Sequence, residues 1–206
     1  MVRIKMCGIR TAAEAEMAVE YGADALGFVF AKSSRQIDPL LAREIIRGLP
    51  PFVFKVGVFV NQEQEYVMSV ANFCGLDMLQ LHGDESPEYC SSLPMQVIKA
   101  FRVKDSVLPE LEEFKVSGYL LDTYVSGTPG GTGKTFNWEI ARHAAEKCSR
   151  VILAGGLNAG NVAQAVLKVH PFAVDVSSGI ESGGKKDRGK IIRFVNEIRR
   201  VSLAIN

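Results

Sequence analysis

Residues 154–158 read Ala-Gly-Gly-Leu-Asn and residues 175–181 read Asp-Val-Ser-Ser-Gly-Ile-Glu, and each stretch follows or completes an apolar, strand-like run. Glycine at a strand end lets the main chain approach a ligand without a Cβ in the way. A helix start there would add unpaired N–H groups and a positive dipole end, which favour a phosphate. Either stretch alone is also typical of a tight βα turn. Two in succession predict a two-sided phosphate site, as in the loops after strands seven and eight of a (β/α)8 barrel.

The rest of the chain repeats the same alternation of strands and helices. We predict strands at 3–6, 25–30, 54–60, 78–81, 96–101, 119–121, 150–153 and 173–176. Most of these runs are continuously apolar or nearly so, as expected for parallel strands that are buried on both faces. Helix starts are predicted at Thr11, where a capping box with Glu14 can form, and at the Asp38-Pro39 and Ser86-Pro87 pairs. The regular spacing favours a closed (β/α)8 TIM barrel, a single domain over 1–206, above an open doubly wound sheet.

Composition excludes several classes of protein. A net charge of +1 over 206 residues argues against a nucleic-acid surface, and the Lys185-Lys186 pair is interpreted as solvated surface charge. The four cysteines and three histidines lack zinc-ligand spacing, so no metal site is expected. The start of the chain does not resemble a signal peptide, and no apolar run is long enough to cross a bilayer. We therefore expect a cytoplasmic protein with reduced thiols, either a monomer or a homodimer.

A glycine-rich segment at 127–135 partly resembles a nucleotide-binding P-loop. That motif requires a glycine, then four residues, then Gly-Lys. Counted back from Gly133-Lys134, the first glycine would stand at position 128, where this chain has Thr128. A nucleoside triphosphatase is therefore disfavoured. The segment is interpreted either as a loop that closes over a ligand or as a flexible surface loop.

The predicted strand ends present three groups with complementary chemistry. In a barrel, residues at the C-terminal ends of the strands share one mouth, where active sites lie. Cys7 could act as a base there, Asp122 as an acid and Arg35 as an anion clamp, since its planar guanidinium suits a carboxylate. Alternatively, Cys7 is a small buried apolar residue, Asp122 a helix cap and Arg35 a surface residue. Alternation along the first strand places Lys5 near Cys7, where its charge would favour the thiolate.

Further candidates follow from the other strand ends. Gln80 and His82 come from the fourth strand, and His82 is either a hydrogen-bonded structural histidine or part of the site. Asp175 lies near the end of the eighth strand and is predicted to order its loop. All three are included among the candidate substrate-binding residues.

Seven short motifs occur in a fixed order along the chain. They are Lys5–Ile9, Gly27–Phe30, Gly57–Asn61, Leu79–Gly83, Leu121–Thr123, Gly130–Phe136 and Asp175–Gly179. Each motif alone is weak, but the ordered series covers almost the whole chain and resembles the phosphoribosylanthranilate isomerase family of the tryptophan pathway.

This resemblance implies an Amadori rearrangement, the third step of the tryptophan branch, which needs no metal or organic cofactor. N-(5-phosphoribosyl)anthranilate becomes 1-(2-carboxyphenylamino)-1-deoxyribulose 5-phosphate. By resemblance Cys7 is the general base, Asp122 the general acid and Arg35 the ligand of the anthranilate carboxylate. The phosphate-binding residues implied are Gly155, Gly156, Ser177, Ser178 and Gly179. Two other hypotheses stay open: another phosphosugar barrel enzyme of tryptophan or histidine synthesis, and a phosphate-binding protein without catalytic activity.

Overall fold

The fold is a closed barrel of parallel strands, seen in a computed structural model that describes residues 1–103, 110–122 and 138–205. Its strands are β1 Arg3–Cys7, β2 Ala25–Val29, β3 Phe54–Phe59, β4 Met78–Leu81, β5 Gln96–Arg102, β6 Gly118–Asp122, β7 Val151–Ala154 and β8 Ala173–Val176. The strands pair in chain order, and β8 closes on β1 with Lys5 beside Asp175. The predicted barrel is therefore confirmed, and every predicted strand is present with its ends correct to within one residue.

Helices cover the outside of the barrel. Those in the described part of the chain are α1 Ala12–Glu20, α2 Pro39–Arg47, α3 Gln64–Cys74, α4 Pro87–Ser92, α5 Trp138–Lys147, α6 Val162–Val169 and α7 Arg188–Ile205. Two 3₁₀ turns, Leu111–Glu113 and Ser178–Ile180, and a hairpin of β9 Glu181–Ser182 and β10 Lys185–Lys186 complete the described elements. None of the helices described is long and apolar enough to cross a membrane.

The predicted helix starts are confirmed by their capping bonds. The hydroxyl of Thr11 accepts from the Glu14 N–H (3.2 Å), and the Glu14 carboxylate reaches back to the Arg10 N–H (2.9 Å). Asp38 caps α2 through the Leu40 N–H (2.8 Å), with proline at the first helical position. Each cap satisfies N–H groups that the helix itself leaves without a partner. These bonds fix where the chain leaves each strand end and turns back along the barrel.

Two apolar layers hold the barrel together. One lies between the strands and the surrounding helices and includes the fully buried Phe28, Phe59 and Phe194. The other fills the barrel interior with small and branched side chains: Val56, Ile98, Ala100, Leu120, Ile152, Ala154 and Ala173. Because side chains alternate along a strand, the inward positions nearest the C-terminal strand ends lie above this interior layer, and the polar side chains are found there.

Candidate functional site

A cavity of about 490 Å³ opens at the C-terminal ends of the strands, the mouth of the barrel. Every candidate site residue from the sequence except Gly179 lines it: Cys7, Arg35, Gln80, His82, Asp122, Gly155, Gly156, Asp175, Ser177 and Ser178. These residues come from strand ends and loops spread over most of the chain. The barrel topology alone brings them together.

Cys7 ends β1 and points inward, with 8% of its surface exposed. Its neighbour in register is Gly27 on β2, and a Cβ at that position would lie 2.7 Å from the Cys7 Sγ. Glycine is therefore required at position 27 to leave room for the thiol. Burial raises the pKa of the Cys7 thiol above its ordinary value, although Lys5 and Lys186 act in the opposite direction.

Lys5 is close to Cys7, as the alternation predicts, but its charge is already paired. The Lys5 ammonium donates to the Asp175 carboxylate at 2.8 Å, and both side chains are buried in the barrel. The predicted effect of Lys5 has the right sign, because its charge lowers the pKa of the Cys7 thiol, but burial outweighs that effect and the pKa is raised overall. The Asp175 carboxylate thus pairs with Lys5 on the neighbouring strand β1, and its predicted role in ordering its own loop stays a prediction.

Asp122 ends β6 and belongs to a chain of hydrogen bonds. His82 Nε2 lies 3.2 Å from Asp122 Oδ2, and Gln80 Nε2 lies 3.0 Å from His82 Nδ1. With the Gln80 amide donating to Nδ1, the Nε2–H of a neutral ring donates to the carboxylate. His82 thus has both a structural bond, to Gln80, and a direct contact with the candidate acid.

Arg35 lies at the mouth, but its guanidinium already holds a carboxylate. Its Nε and Nη2 donate to the two oxygens of Glu181 at 2.9 and 2.7 Å. This side-chain pair raises the pKa of Arg35. Burial alone would raise the pKa of Glu181, yet its bonds to Arg35 and Lys186 lower it to about 2. The planar edge that sequence analysis assigned to a substrate carboxylate is therefore occupied from within the chain.

The two glycine and serine turns lie against each other. Gly155 and Gly156 have φ values of +87° and +64°, in the left-handed region that glycine tolerates. A Cβ on Gly179 would lie 1.8 Å from the Leu157 carbonyl oxygen, so the second turn packs on the first without a side chain between them. The Ser177 hydroxyl donates to the Cys7 carbonyl at 3.1 Å, which links the second turn to β1.

The expected helix starts at these turns are corrected by the structure. After β7, the chain continues through Asn158–Asn161 before α6 begins at Val162. After β8, a 3₁₀ turn leads into the hairpin, and α7 begins only at Arg188. The two sides of the candidate phosphate site are therefore the turns themselves and the 3₁₀ turn Ser178–Ile180.

Sequence reasoning missed two residues at the mouth, Glu181 and Lys186. Lys186 was interpreted as solvated charge, yet its ammonium is buried and bonds to the Cys7 carbonyl at 2.6 Å. The Gly183-Gly184 pair between them, with φ values of +57° and +76°, is typical of a two-residue hairpin turn. That signal could have predicted that positions 181 and 186 pair, as they do in register.

Two features named from the sequence remain to be placed. The glycine-rich segment 127–135 lies outside the described residues. Within the ranges 1–103, 110–122 and 138–205, no group of three or more histidine, cysteine or carboxylate side chains is arranged to hold a metal ion.

A closed parallel barrel with ionisable side chains at its mouth and two small-residue turns after its last strands is typical of (β/α)8 enzymes that bind a phosphate. A family model described as N-(5'phosphoribosyl)anthranilate (PRA) isomerase matches residues 4–197. The chain is 54% identical over 202 residues to the N-(5'-phosphoribosyl)anthranilate isomerase of Moorella thermoacetica, covering 97% of this chain and 91% of the relative. The chain therefore belongs to the N-(5'-phosphoribosyl)anthranilate isomerase family.

Solved structures agree with this assignment. The phosphoribosyl anthranilate isomerase of Thermotoga maritima superposes with a TM-score of 0.88 at 45% identity, covering 97% of this chain and all of that one. A second isomerase structure, in complex with reduced 1-(o-carboxyphenylamino)-1-deoxyribulose 5-phosphate, has a TM-score of 0.84 at 42% identity, with coverage of 97% and 100%. A third, described as monomers generated from the dimeric Thermotoga maritima enzyme, has a TM-score of 0.84 at 40% identity, with the same coverage.

Proposed function

We propose that this chain isomerises N-(5'-phosphoribosyl)anthranilate in tryptophan synthesis, with Cys7 as the general base and Asp122 as the general acid. The observation that carries the proposal is the meeting of these two residues in one cavity of a chain that belongs to the isomerase family. A relative in this family has been solved with a reduced form of the product. The reaction is an intramolecular aldose–ketose conversion, so oxidation at one carbon balances reduction at its neighbour.

The reaction proceeds through ring opening, removal of the C2 proton and tautomerisation to the ketone. Asp122 donates a proton to the ribose ring oxygen, the ring C–O bond breaks, and the nitrogen lone pair forms a Schiff base with C1. The Schiff base acidifies the C2–H bond, and the Cys7 thiolate removes that proton to give an enolamine. The enolamine then becomes the ketose as C1 takes a proton from solvent and the C2 hydroxyl loses one to form the carbonyl. Exchange with solvent removes the proton from Cys7 and restores the one that Asp122 gave. A positioned acid or base of this kind contributes about 10²–10⁴-fold to the rate.

Substrate binding uses the remaining candidates. The turns containing Gly155, Gly156, Ser177 and Ser178 hold the phosphate, which leaves the ribose between them and the acid–base pair. Gln80 and His82 hold Asp122 in position and face the sugar. Arg35 meets the anthranilate carboxylate through the part of its guanidinium that Glu181 does not bind. Asp175 contributes through its ion pair with Lys5 (2.8 Å), which holds the Lys5 ammonium beside Cys7.

The proposed activity is tested by a fluorescence assay. Purified protein is expected to abolish the fluorescence of N-(5'-phosphoribosyl)anthranilate at a rate proportional to enzyme concentration. The aminoaldose of histidine synthesis, offered in parallel, distinguishes a neighbouring phosphosugar isomerase. Turnover of that compound alone, or tight binding of either compound without turnover, would contradict the proposal.

The contact between the phosphate turns gives a prediction for Gly179→Ala. The added Cβ must displace the Leu157 carbonyl, which it would approach to 1.8 Å, so the turns should separate. We expect KM to rise about tenfold or more while kcat changes less, because phosphate binding is lost before chemistry. Steady-state kinetics provide the measurement. Gly48→Ala is the control, since that glycine has an ordinary helical φ and only a 3.5 Å contact, and an unchanged KM in Gly179→Ala would refute the arrangement.

We further propose that two copies of the chain pair through the N-terminal face of the barrel. Phe52 precedes β3 on that face with 98% of its surface exposed and a φ of +67°, an unusual conformation for a large side chain. The same face carries a cavity of about 220 Å³ lined by Arg3, His170 and Phe172. A protruding side chain and a cavity on the same face suit a two-fold dimer, in which the Phe52 ring of each copy fills this cavity of the other copy. A relative is described as dimeric, which supports this choice over a monomer.

Phe52→Asp is expected to dissociate that dimer. Loss of two buried phenylalanines should raise the dimer Kd about 100-fold or more. Sedimentation equilibrium of wild-type and variant proteins measures the change. Leu41→Asp, an exposed residue at the start of α2, serves as control. A wild-type protein that sediments as a monomer, or a variant that stays as associated as wild type, would exclude this interface.

Two broader proposals complete this assignment. The whole chain, 1–206, is proposed to be one barrel domain, since its described elements all contribute to the barrel or pack against it. A cytoplasmic location is proposed because Cys7, Cys74, Cys90 and Cys148 are free thiols, the form expected in a reducing compartment.

A further inference from the structure

Lys186 lies at a junction between three parts of the mouth. Its side chain is 1% exposed, and its ammonium donates to the carbonyls of Cys7 (2.6 Å) and Ser177 (3.2 Å) and to Glu181 Oε1 (2.8 Å). An ammonium has three protons, and here each has an acceptor. The base-bearing end of β1, the second phosphate turn and the hairpin are therefore tied together by one cation.

Glu181 extends this junction to Arg35. Its Oε1 accepts from both Lys186 Nζ and Arg35 Nε, and its Oε2 accepts from Arg35 Nη2. The Arg35 side chain also packs on the main chain after Cys7, since a Cβ on Gly8 would lie 2.5 Å from its Cδ. Moving Lys186 would therefore disturb both the arginine and the cysteine.

Lys32, His82 and Asp122 line the same cavity as Cys7. The other charged side chains near Cys7 form two bonded groups that differ in net charge. Lys5 on β1 and Asp175 on β8 form a pair with no net charge. Lys186, Glu181 and Arg35 form a triad with a net charge of +1, two cations sharing one carboxylate. Among these groups, the excess positive charge beside the thiol comes from the triad, even though Lys5 has the larger individual effect.

We propose that Lys186 is a positioning residue of the isomerase, which fixes Cys7 relative to the phosphate turn and supplies the net positive charge that offsets part of the effect of burial on its thiol. The proposal rests on the proposed role of Cys7 as the base. It assigns a function to a hairpin that contributes no strand to the barrel. It also explains why the Lys186 ammonium is buried against the Cys7 carbonyl, although the two residues are 179 positions apart in the sequence.

The test measures the Cys7 thiol directly. The rate at which iodoacetamide alkylates Cys7 is followed against pH by mass spectrometry of the Cys7 peptide, with Cys148 as an internal reference. Removal of a charge close to a titrating group shifts its midpoint by about one unit or more. Lys186→Met is therefore expected to slow alkylation at pH 8 about tenfold and to lower kcat/KM. Lys185→Met, its exposed neighbour on the same hairpin, should leave both unchanged.

Glu181→Gln is expected to change the alkylation rate of Cys7 in the opposite direction. It raises the net charge of the triad, so alkylation of Cys7 should become several-fold faster than in wild type. A merely structural disturbance would not move two neighbouring variants in opposite directions. Lys186→Arg keeps the charge and should retain a wild-type alkylation midpoint, and this prediction remains testable if Lys186→Met does not fold.

The outcomes distinguish a failure of the proposed role of Lys186 from a failure of the proposed role of Cys7 as the base. Equal alkylation midpoints in wild type, Lys186→Met and Glu181→Gln, or shifts of the same sign in both variants, would overturn the role of Lys186. If the charge variants shift alkylation as expected but Cys7→Ser retains full turnover, the assignment of Cys7 as base fails and the electrostatic effect of Lys186 stands.

Discussion

Replacement of Cys7 by serine is expected to lower kcat/KM by about 10²–10⁴-fold. The hydroxyl is smaller than the thiol and fits the space beside Gly27, so the barrel should be undisturbed. A serine hydroxyl is a much poorer proton acceptor than a thiolate at neutral pH, so removal of the C2 proton should fail. Steady-state kinetics measure the loss, and calorimetric titration with the reduced product shows whether binding is retained.

The control for this variant is Cys148→Ser, which changes a half-buried cysteine at the end of α5, away from the mouth. Its kcat/KM should equal that of wild type. Near-normal turnover in Cys7→Ser would show that another group removes the proton.

Asp122→Asn is expected to have an effect of similar size, about 10²–10⁴-fold in kcat/KM. An asparagine side chain can still accept the hydrogen bond from His82 Nε2, which lies 3.2 Å from the aspartate in wild type. The variant therefore keeps the geometry and loses the proton that opens the ribose ring. A substrate analogue that is already open-chain should be affected much less, because its reaction does not require ring opening.

Asp77→Asn is the matched control, since Asp77 precedes β4 at the opposite end of the barrel and pairs with Lys55. That variant should turn over normally. If Asp122→Asn were as active as Asp77→Asn, the acid would have to be a different group at the mouth.

The barrel could be predicted from the sequence because its determinants are local. Strands such as Ala25–Val29 and Val151–Leu153 are apolar on both faces, and caps such as Asp38 and Ser86 mark the helix starts. Parallel topology then places all strand ends at one mouth. For that reason the positions of Cys7 and Asp122 at a common cavity followed without any knowledge of their contacts.

The pairing of charges at the mouth could not be predicted in this way. Arg35 and Glu181 are 146 residues apart, and no local pattern marks them as partners. The same holds for Lys5 and Asp175, which meet only because β1 closes on β8. The balance between burial and neighbouring charge at Cys7 depends on these long-range pairs, so the sequence could indicate the sign of the Lys5 effect but not that the pKa of Cys7 is raised overall.

The central claim is tested most directly by the crystal structure of this protein with reduced 1-(o-carboxyphenylamino)-1-deoxyribulose 5-phosphate. We expect its phosphate to contact the main chain of the turns at Gly156 and Ser178, its C2 to lie within about 4 Å of the Cys7 Sγ, and Asp122 to face the oxygen released by ring opening. A phosphate bound away from both turns, or a C2 atom that lies next to His82 and out of reach of Cys7, would contradict the account.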